Sequence, residues 1–344
     1  MEIVGAGFGA LLAHAGRGVV RARRVGRARE RLKNGQAVTW LLALLLAMAV
    51  VAPAHPSAQP ARFTVAIVRA DGAIVPFAAY DDGRWERAWP QADEATDRTP
   101  TIDAIESIWR KRGERVPRTW TVWPASGASS IRAQVNGIEV VDAHCAGQVA
   151  LKTNLRPIQA EHLAKFGVAV DSNMSVGSIE QVHESNSVWT SAEQVVLSSF
   201  SQLEAAQAQT QGQALPRETP QPGPRITALY REAKSPGSPL YFVAEKKYRT
   251  RSSSQDPSCG RITIITGWLV PTAGGGLTLR DAKLFLSDCD EKEVRKALPL
   301  AAVRVASGVV WVLQEHGYED ETYLIAEIGP TGVRYPIEVN GGGC

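Results

Sequence analysis

From residue 63 onward the chain is cut into short, apolar, β-branched runs by turn-forming residues, which leaves little room for long helices. Residues 63–69 (FTVAIVR) and 73–80 (AIVPFAAY) are joined through Ala70-Asp71-Gly72, and Asp-Gly between two such runs predicts a hairpin. Asp81-Asp82-Gly83 predicts the next turn, with a strand starting over 84–87. After a polar connection at 91–100, Ile102, Ile105, Ile108 and Trp109 fall at helical spacing and predict a helix over 102–112. Residues 119–123 return to strand. In 130–143 (SIRAQVNGIEVVDA) the central Asn136-Gly137 tolerates positive φ at both positions, so the run reads as two antiparallel strands around a type I′ turn. Strands at 148–153 and 166–171 follow.

Thr190-Ser191-Ala192-Glu193 has the spacing of a capping box, in which hydroxyl and carboxylate satisfy each other's backbone amides. Val196, Phe200, Leu203 and Gln207 then mark one face of a helix reaching about Gln209. Residues 209–224 (QTQGQALPRETPQPGP) have no apolar period, and Pro216, Pro220, Pro222 and Pro224 forbid a helix there. Beyond them come strand patterns at 226–231, 240–249, 261–270, 277–286, 301–314, 323–328 and 333–339. About sixteen short strands stand against two helices. The expected fold is mainly β and antiparallel, with a minor α part that makes it α+β at most. It has two β-rich halves joined by the Gln/Pro-rich linker. The expected divisions are a leader at 1–54, a β-rich domain at 55–208 ending in a helix, the linker at 209–224 and an all-β domain at 225–344. The rival architecture is a small β-propeller of four-stranded blades, although no repeat of 40–50 residues marks one.

The N-terminus fixes the expected compartment. Arg17, Arg21, Arg23, Arg24, Arg27, Arg29, Arg31 and Lys33 precede an apolar run at 37–54 (AVTWLLALLLAMAVVAPA). A positive segment, an apolar segment and an Ala52-Pro53-Ala54 end make the three-part pattern of a secretory signal peptide. Positive charge resists crossing a bilayer while Leu and Val partition into it, so the end after Ala54 is the translocated one. Left uncleaved, the segment becomes a single-pass anchor, at the short end of what spans a bilayer. Either way residues 55–344 lie outside the cytoplasm, periplasmic or extracellular. The opening Gly5-Ala6-Gly7-Phe8-Gly9-Ala10 imitates a dinucleotide-binding turn. It lacks the buried strand before it and the second, acid-bearing strand that such a site needs.

Removing the leader changes the charge. The whole chain carries +3, from 38 Lys and Arg against 35 Asp and Glu. The leader takes eight of those bases and two of the acids, so the remainder carries −3. A slightly acidic module has no clustered basic excess for phosphate backbones, which excludes nucleic acid as a partner. Contact with a membrane is expected only through an uncleaved N-terminal segment, and no other partner is identified. The basic run from Glu245 to Arg251 reads as the solvated side of a strand and its turn. All four cysteines lie in the exported part, and an even number in an oxidising compartment predicts two disulfides. Cys259 and Cys289 flank one run of predicted strands centred near Gly274, which places them in register, and Cys145–Cys344 follows by elimination. A zinc site would want Cys-x-x-Cys or Cys-x-x-His pairs, which are absent.

Local catalytic signatures are missing. His183-Glu184 lacks the second histidine of a zinc helix, and Gly127-Ala128-Ser129-Ser130-Ile131 lacks the last glycine of a nucleophile elbow. The acidic runs at 288–291 and 319–321 read as polar turns between strands, so no metal and no cofactor is expected. Trp85, Trp89, Trp109, Trp120 and Trp123 fall within 39 residues. Indoles are large core residues first, but Trp85, Trp89 and Trp120 are the candidates for an exposed aromatic patch. Trp120 and Trp123, three apart, face opposite sides of a regular strand. The expected role is a non-catalytic binding or structural module of the envelope or secretome. The alternative is a secreted hydrolase of an extracellular polymer, using His144, His183 or His316 beside a carboxylate. Mass spectrometry of the exported protein should find an N-terminus between His55 and Phe63. An intact chain retaining Trp40 in the membrane fraction selects the anchor instead.

Overall fold

The computed structural model describes residues 62–88, 106, 107, 110, 115–143, 146–156, 166–210, 223–248, 261–287, 292 and 294–343. Within the compact unit Ser57–Cys344 the described residues form two antiparallel sheets of barrel shape. The first contains β1 (Arg62–Val68), β2 (Ile74–Asp81), β3 (Arg84–Arg87), β4 (Thr119–Pro124), β5 (Ile131–Ala143), β6 (Ala146–Thr153) and β7 (Gly167–Val170). Its order is β1-β7-β4-β5-β6-β2-β3, and an added β1–β2 pairing closes six of these strands on themselves. An even number of strands is what an all-antiparallel closure requires, and closure removes the exposed edges.

The turn chemistry explains the β1–β2–β3 meander. Arg69 N donates to Ala73 O at 2.9 Å, Asp71 Oδ1 accepts from Ala73 N at 3.0 Å, and Gly72 sits at φ +86°. Between β2 and β3, Asp82 at +44° and Gly83 at +87° both occupy the left-handed region, as a two-residue type I′ turn demands. At Asn136-Gly137 the expectation of a turn is overturned. Both residues lie inside the continuous strand β5, and the register shifts between Val135 and Gly137. This is a bulge. On its N-terminal side β5 pairs β4, from Ile131↔Val122 to Gln134↔Thr119, and on its C-terminal side it pairs β6. The bulge is therefore a barrel corner, where an extra residue bends a strand without ending it.

The second sheet holds β8 (Val176–Gln181), β9 (Arg225–Glu232), β10 (Leu240–Lys247), β11 (Ile262–Pro271), β12 (Leu277–Ser287), β13 (Lys296–Val305), β14 (Gly308–His316), β15 (Asp320–Gly329) and β16 (Gly332–Gly343). Its order is β12-β11-β10-β9-β8-β13-β14-β15-β16. Sheets of seven and nine strands exclude the propeller. The run expected as one strand at 301–314 is the β13–β14 hairpin. The chain changes sheet at 171–175, upstream of the Gln/Pro-rich segment. β8 then joins two meanders, pairing β13 through Val176–Ser178 and β9 through Ile179–Gln181. In the β11–β12 hairpin the last described pair is Ile262↔Ser287. Cys259 and Cys289 come after it, and like Cys145 and Cys344 they lie outside the described residues.

One helix, α1 (Ser187–Thr210), covers this sheet. Its cap is Asn186, whose Oδ1 accepts from Val188 N at 3.0 Å, so the Thr190 box falls inside the first turns and caps nothing. Trp189, Ala192, Val196, Phe200, Glu204 and Ala208 form its buried stripe against β9–β12, at spacings of three and four. Glu106, Ser107 and Arg110 are helical, while the rest of the expected 102–112 helix lies outside the described residues.

Strands β13–β15 are buried on both faces along most of their length, while β16 buries one face and alternates with exposed residues. Val310, Val312, Tyr323, Ile325, Ile337 and Val339 belong to the core of the first barrel, where Phe77 meets Tyr323 edge to face at 5.7 Å. The alternating set Trp311, Leu313, Leu324 and Ala326 fills the second barrel with Tyr241 and Trp268.

Two glycines test this account. The φ of Gly137 is not positive and a Cβ there meets nothing within 4 Å, so Gly137→Ala should leave stability within about 0.5 kcal/mol or raise it. A type I′ turn would make the same change costly. At Gly167 a Cβ would lie 2.1 Å from the Trp123 carbonyl oxygen, which is backbone and cannot swing away. Gly167→Ala should cost roughly 1–3 kcal/mol or more. Urea midpoints of the two variants check both.

Candidate functional site

Of the histidines named as alternatives for a hydrolase, His183 and His316 are among the described residues and stand on different elements. His183 precedes α1, with Nδ1 3.1 Å from Ser185 Oγ and its carbonyl accepting from Asn186 N at 2.9 Å. This is a local turn that presents the Asn186 cap, and no carboxylate orients the ring among the described residues. His316 ends β14, registered between Lys296 and Glu321. Burial lowers its pKa and Lys296 adds to this, while Glu321 and Glu315 oppose it. His144 lies outside the described residues.

Sequence reasoning missed the buried carboxylates. Glu204, 2% exposed, sits in the apolar stripe of α1 and accepts from Lys246 Nζ at 2.6 Å, Thr263 Oγ1 at 2.7 Å and the Tyr248 hydroxyl. Burial is the largest single influence on Lys246 and lowers its pKa, but its bonds and charges with Glu204 and Tyr248 together raise it above the ordinary lysine value. Lys246 is thus partly buried against the helix, not on a solvated strand face as expected. A charge recurring at helical spacing with Val196 and Phe200 was the available signal. Deleting one member of such a pair strands the other, at roughly 3–5 kcal/mol.

Glu321, expected in a polar turn, is also 2% exposed. It accepts from Gln314 Nε2 at 2.8 Å and from the Tyr323 hydroxyl, whose pKa burial and then Glu321 push well above the phenol range. Gly341 leaves the space, since a Cβ there would come within 2.6 Å of Tyr323 Cζ. Glu232 accepts from Arg304 Nη2 at 2.6 Å over Gly177, where a Cβ would come as close to its Oε1. Each carboxylate is enclosed by protein donors, so these networks bind sheets and helix together.

The seam of the second barrel is closed too. Its edge strands β12 and β16 meet through side chains: Tyr335 Oη donates to Asp281 Oδ2 at 2.7 Å and accepts from Trp268 Nε1 at 3.0 Å. Lys283 Nζ lies 5.1 Å from the Tyr335 ring and 3.6 Å from Glu315. Asp281 takes φ +45° at the bulge where β12 bends past Gly267. The remaining cavity is about 10 Å³, room for at most one water.

A groove of about 360 Å³ opens between the β13–β14 and β15–β16 turns, within the range of small-ligand pockets. Ser307, Gly308, Thr331 and Gly332 shape its rim, with Val309 and Val333 beneath. Arg334 Nη2 donates to Glu327 Oε2 at 2.5 Å, and Glu327 Oε1 accepts from Trp85 Nε1 at 3.2 Å. Of the proposed aromatic patch, Trp85 is half-buried beside this groove, packed on Tyr80 and Phe63. Trp120 is 0% exposed, its Nε1 bonded to Pro117 O at 3.2 Å, and Trp89 lies outside the described residues. No local motif announces the groove, because its lining comes from two turns some twenty residues apart. Comparison with protein-family models, characterised proteins and solved structures finds no match for this chain.

His316 generates a pH prediction. An unfolded histidine takes its proton near 6.5, while the folded one waits for a lower pH. Between the two the unfolded chain binds more protons, so this contribution is complete above pH 6.5 and falls as the pH drops. The stability difference between the protein and its His316→Gln variant should therefore shrink from pH 7.5 to 5.5. Urea melts at both values measure it.

Proposed function

We propose that residues 55–344 form an exported, non-catalytic binding module that engages its ligand from the outer surface. The observation that carries this reading is the contrast between the two kinds of space in the fold. The interior of the second barrel is filled by Tyr241, Trp268 and Trp311, whereas the turn ends present an open groove with a fixed arginine. A filled barrel is a scaffold, and variable chemistry belongs on its loops. Export rests on the basic and apolar leader, which lies outside the described residues. Among the described residues no helix is long and apolar enough to cross a membrane.

Purified 55–344 should be retained on an insoluble extracellular polymer without shortening it. Incubation with peptidoglycan, a neutral glucan and a polyuronate, scored for retention and for released fragments, is the test. Retention on at least one polymer with no fragments supports the reading. Released fragments select the secreted hydrolase, and no retention on any of the three counts against a polymer-binding role.

A further inference from the structure

We propose that the groove between the β13–β14 and β15–β16 turns binds a carboxylate-bearing sugar unit, with Arg334 clasping the carboxylate. This rests on the binding-module reading above and adds the class of ligand. Three side chains in series build the site. The Trp85 indole N–H holds Glu327 Oε1 at 3.2 Å, and Glu327 Oε2 holds Arg334 Nη2 at 2.5 Å. The indole and the Glu327 side chain, 17% exposed, are both partly buried, while the Arg334 side chain is 81% exposed. An isolated surface ion pair contributes little and holds its arginine loosely. Here the carboxylate is itself anchored by the indole, so the guanidinium is held from behind while its face stays in solvent. Among the described residues the Glu327 bond is its one hydrogen bond to protein, leaving most of a five-donor fork for an anion.

The rest of the lining narrows the ligand. Ser307 and Thr331 bring hydroxyls to the rim, and Gly308 and Gly332 are open, with nothing within 4 Å of a built Cβ, so backbone groups are reachable from the groove. A planar guanidinium fork matches a carboxylate in two-point fashion. Hydroxyl and backbone groups match the alternating donors and acceptors of a sugar ring. A metal cation is disfavoured by the arginine. A nucleic acid strand is disfavoured by having one guanidinium to meet it and a module of net charge −3. Sulfated and phosphorylated sugars share the anionic chemistry and serve as separate arms of the test.

Isothermal titration of 55–344 with a tetragalacturonate is the measurement, beside a neutral galactose tetramer, a sulfated tetramer and a sugar phosphate. Binding of the uronate, at least tenfold tighter than of the neutral tetramer, is expected. Arg334→Gln should remove that preference. Gly332→Phe, which fills the groove and leaves Arg334 in place, should abolish binding. Unchanged urea midpoints establish that both variants fold, as the exposure of Arg334 and the open space at Gly332 lead one to expect. Tighter binding of the sulfated or phosphorylated arm overturns the carboxylate assignment. Uronate binding that both variants retain overturns the groove while the binding-module reading stands. Absence of binding in all four arms overturns this inference, and the polymer-retention experiment then decides separately whether the module binds anything.

Discussion

The structure depends on one wall shared by two cores. Strands β13–β16 send Val310, Val312, Tyr323, Ile325 and Ile337 into the first barrel and Trp311, Leu313, Leu324 and Ala326 into the second. A strand buried on one face tolerates polar residues at every second position, but a shared wall removes that freedom along most of its length. At roughly 25 cal/mol for each Å² of apolar surface removed from water, β13, β14 and β15 each contribute on both faces, and β16 mainly on one. Neither sheet can then be judged by its own hydrogen-bond ladder. A cavity opened by shortening Tyr323 on β15 would be felt in the first core, while one at Trp311 on the paired strand β14 would be felt in the second.

Double burial also explains where the charged groups go. Glu321 and Gln314 belong to the wall, and neither can reach water, so each must find its partners inside the protein. The same rule governs Glu204 under α1 and Glu232 over Gly177, two places where different layers meet. Glycines make these contacts possible. At Gly177 and Gly341 the missing side chain is the space that the carboxylate or the phenol occupies, so glycine is required there for packing and not for flexibility.

Much of the architecture was legible as pattern. The Asp71-Gly72 and Asp82-Gly83 turns are where local chemistry places them, because a short break that tolerates positive φ between two apolar runs leaves the chain one economical path. Asn136-Gly137 carries an equally strong local signal and nevertheless lies within a strand. The β4 and β6 ladders flank β5 on both sides of that point, and tertiary pairing overrides the dipeptide. β8 escaped notice because Val176, Ile179 and Val182 are three apart, which is not a strand period. Its buried pattern follows from switching partner halfway along, from β13 to β9. Glu204 was hidden for a different reason. Its spacing with Val196 and Phe200 puts it on the buried face, but the partners that satisfy it, Lys246, Tyr248 and Thr263, lie some forty to sixty residues away and carry no local mark of the pairing.

The groove was the least legible feature, and the wall accounts for this as well. Because β14 and β15 are buried on both faces, their side chains are committed to the two cores, and free chemistry appears only where the strands run out into turns. There Gly308, Gly329 and Gly332 thin the covering, and the strand-end residues Glu327 and Arg334 emerge from the ladder. Their alternation continues that of the wall, which sets the direction each side chain takes. Trp85 comes from the short strand β3, appended to the closed barrel, and reaches across to Glu327. The groove therefore draws on both sheets: the second supplies its lining and the arginine, and the first supplies the indole bonded to Glu327. Neither sheet alone holds this arrangement, since the first barrel's core includes Val310, Val312, Tyr323 and Ile325 of the second sheet.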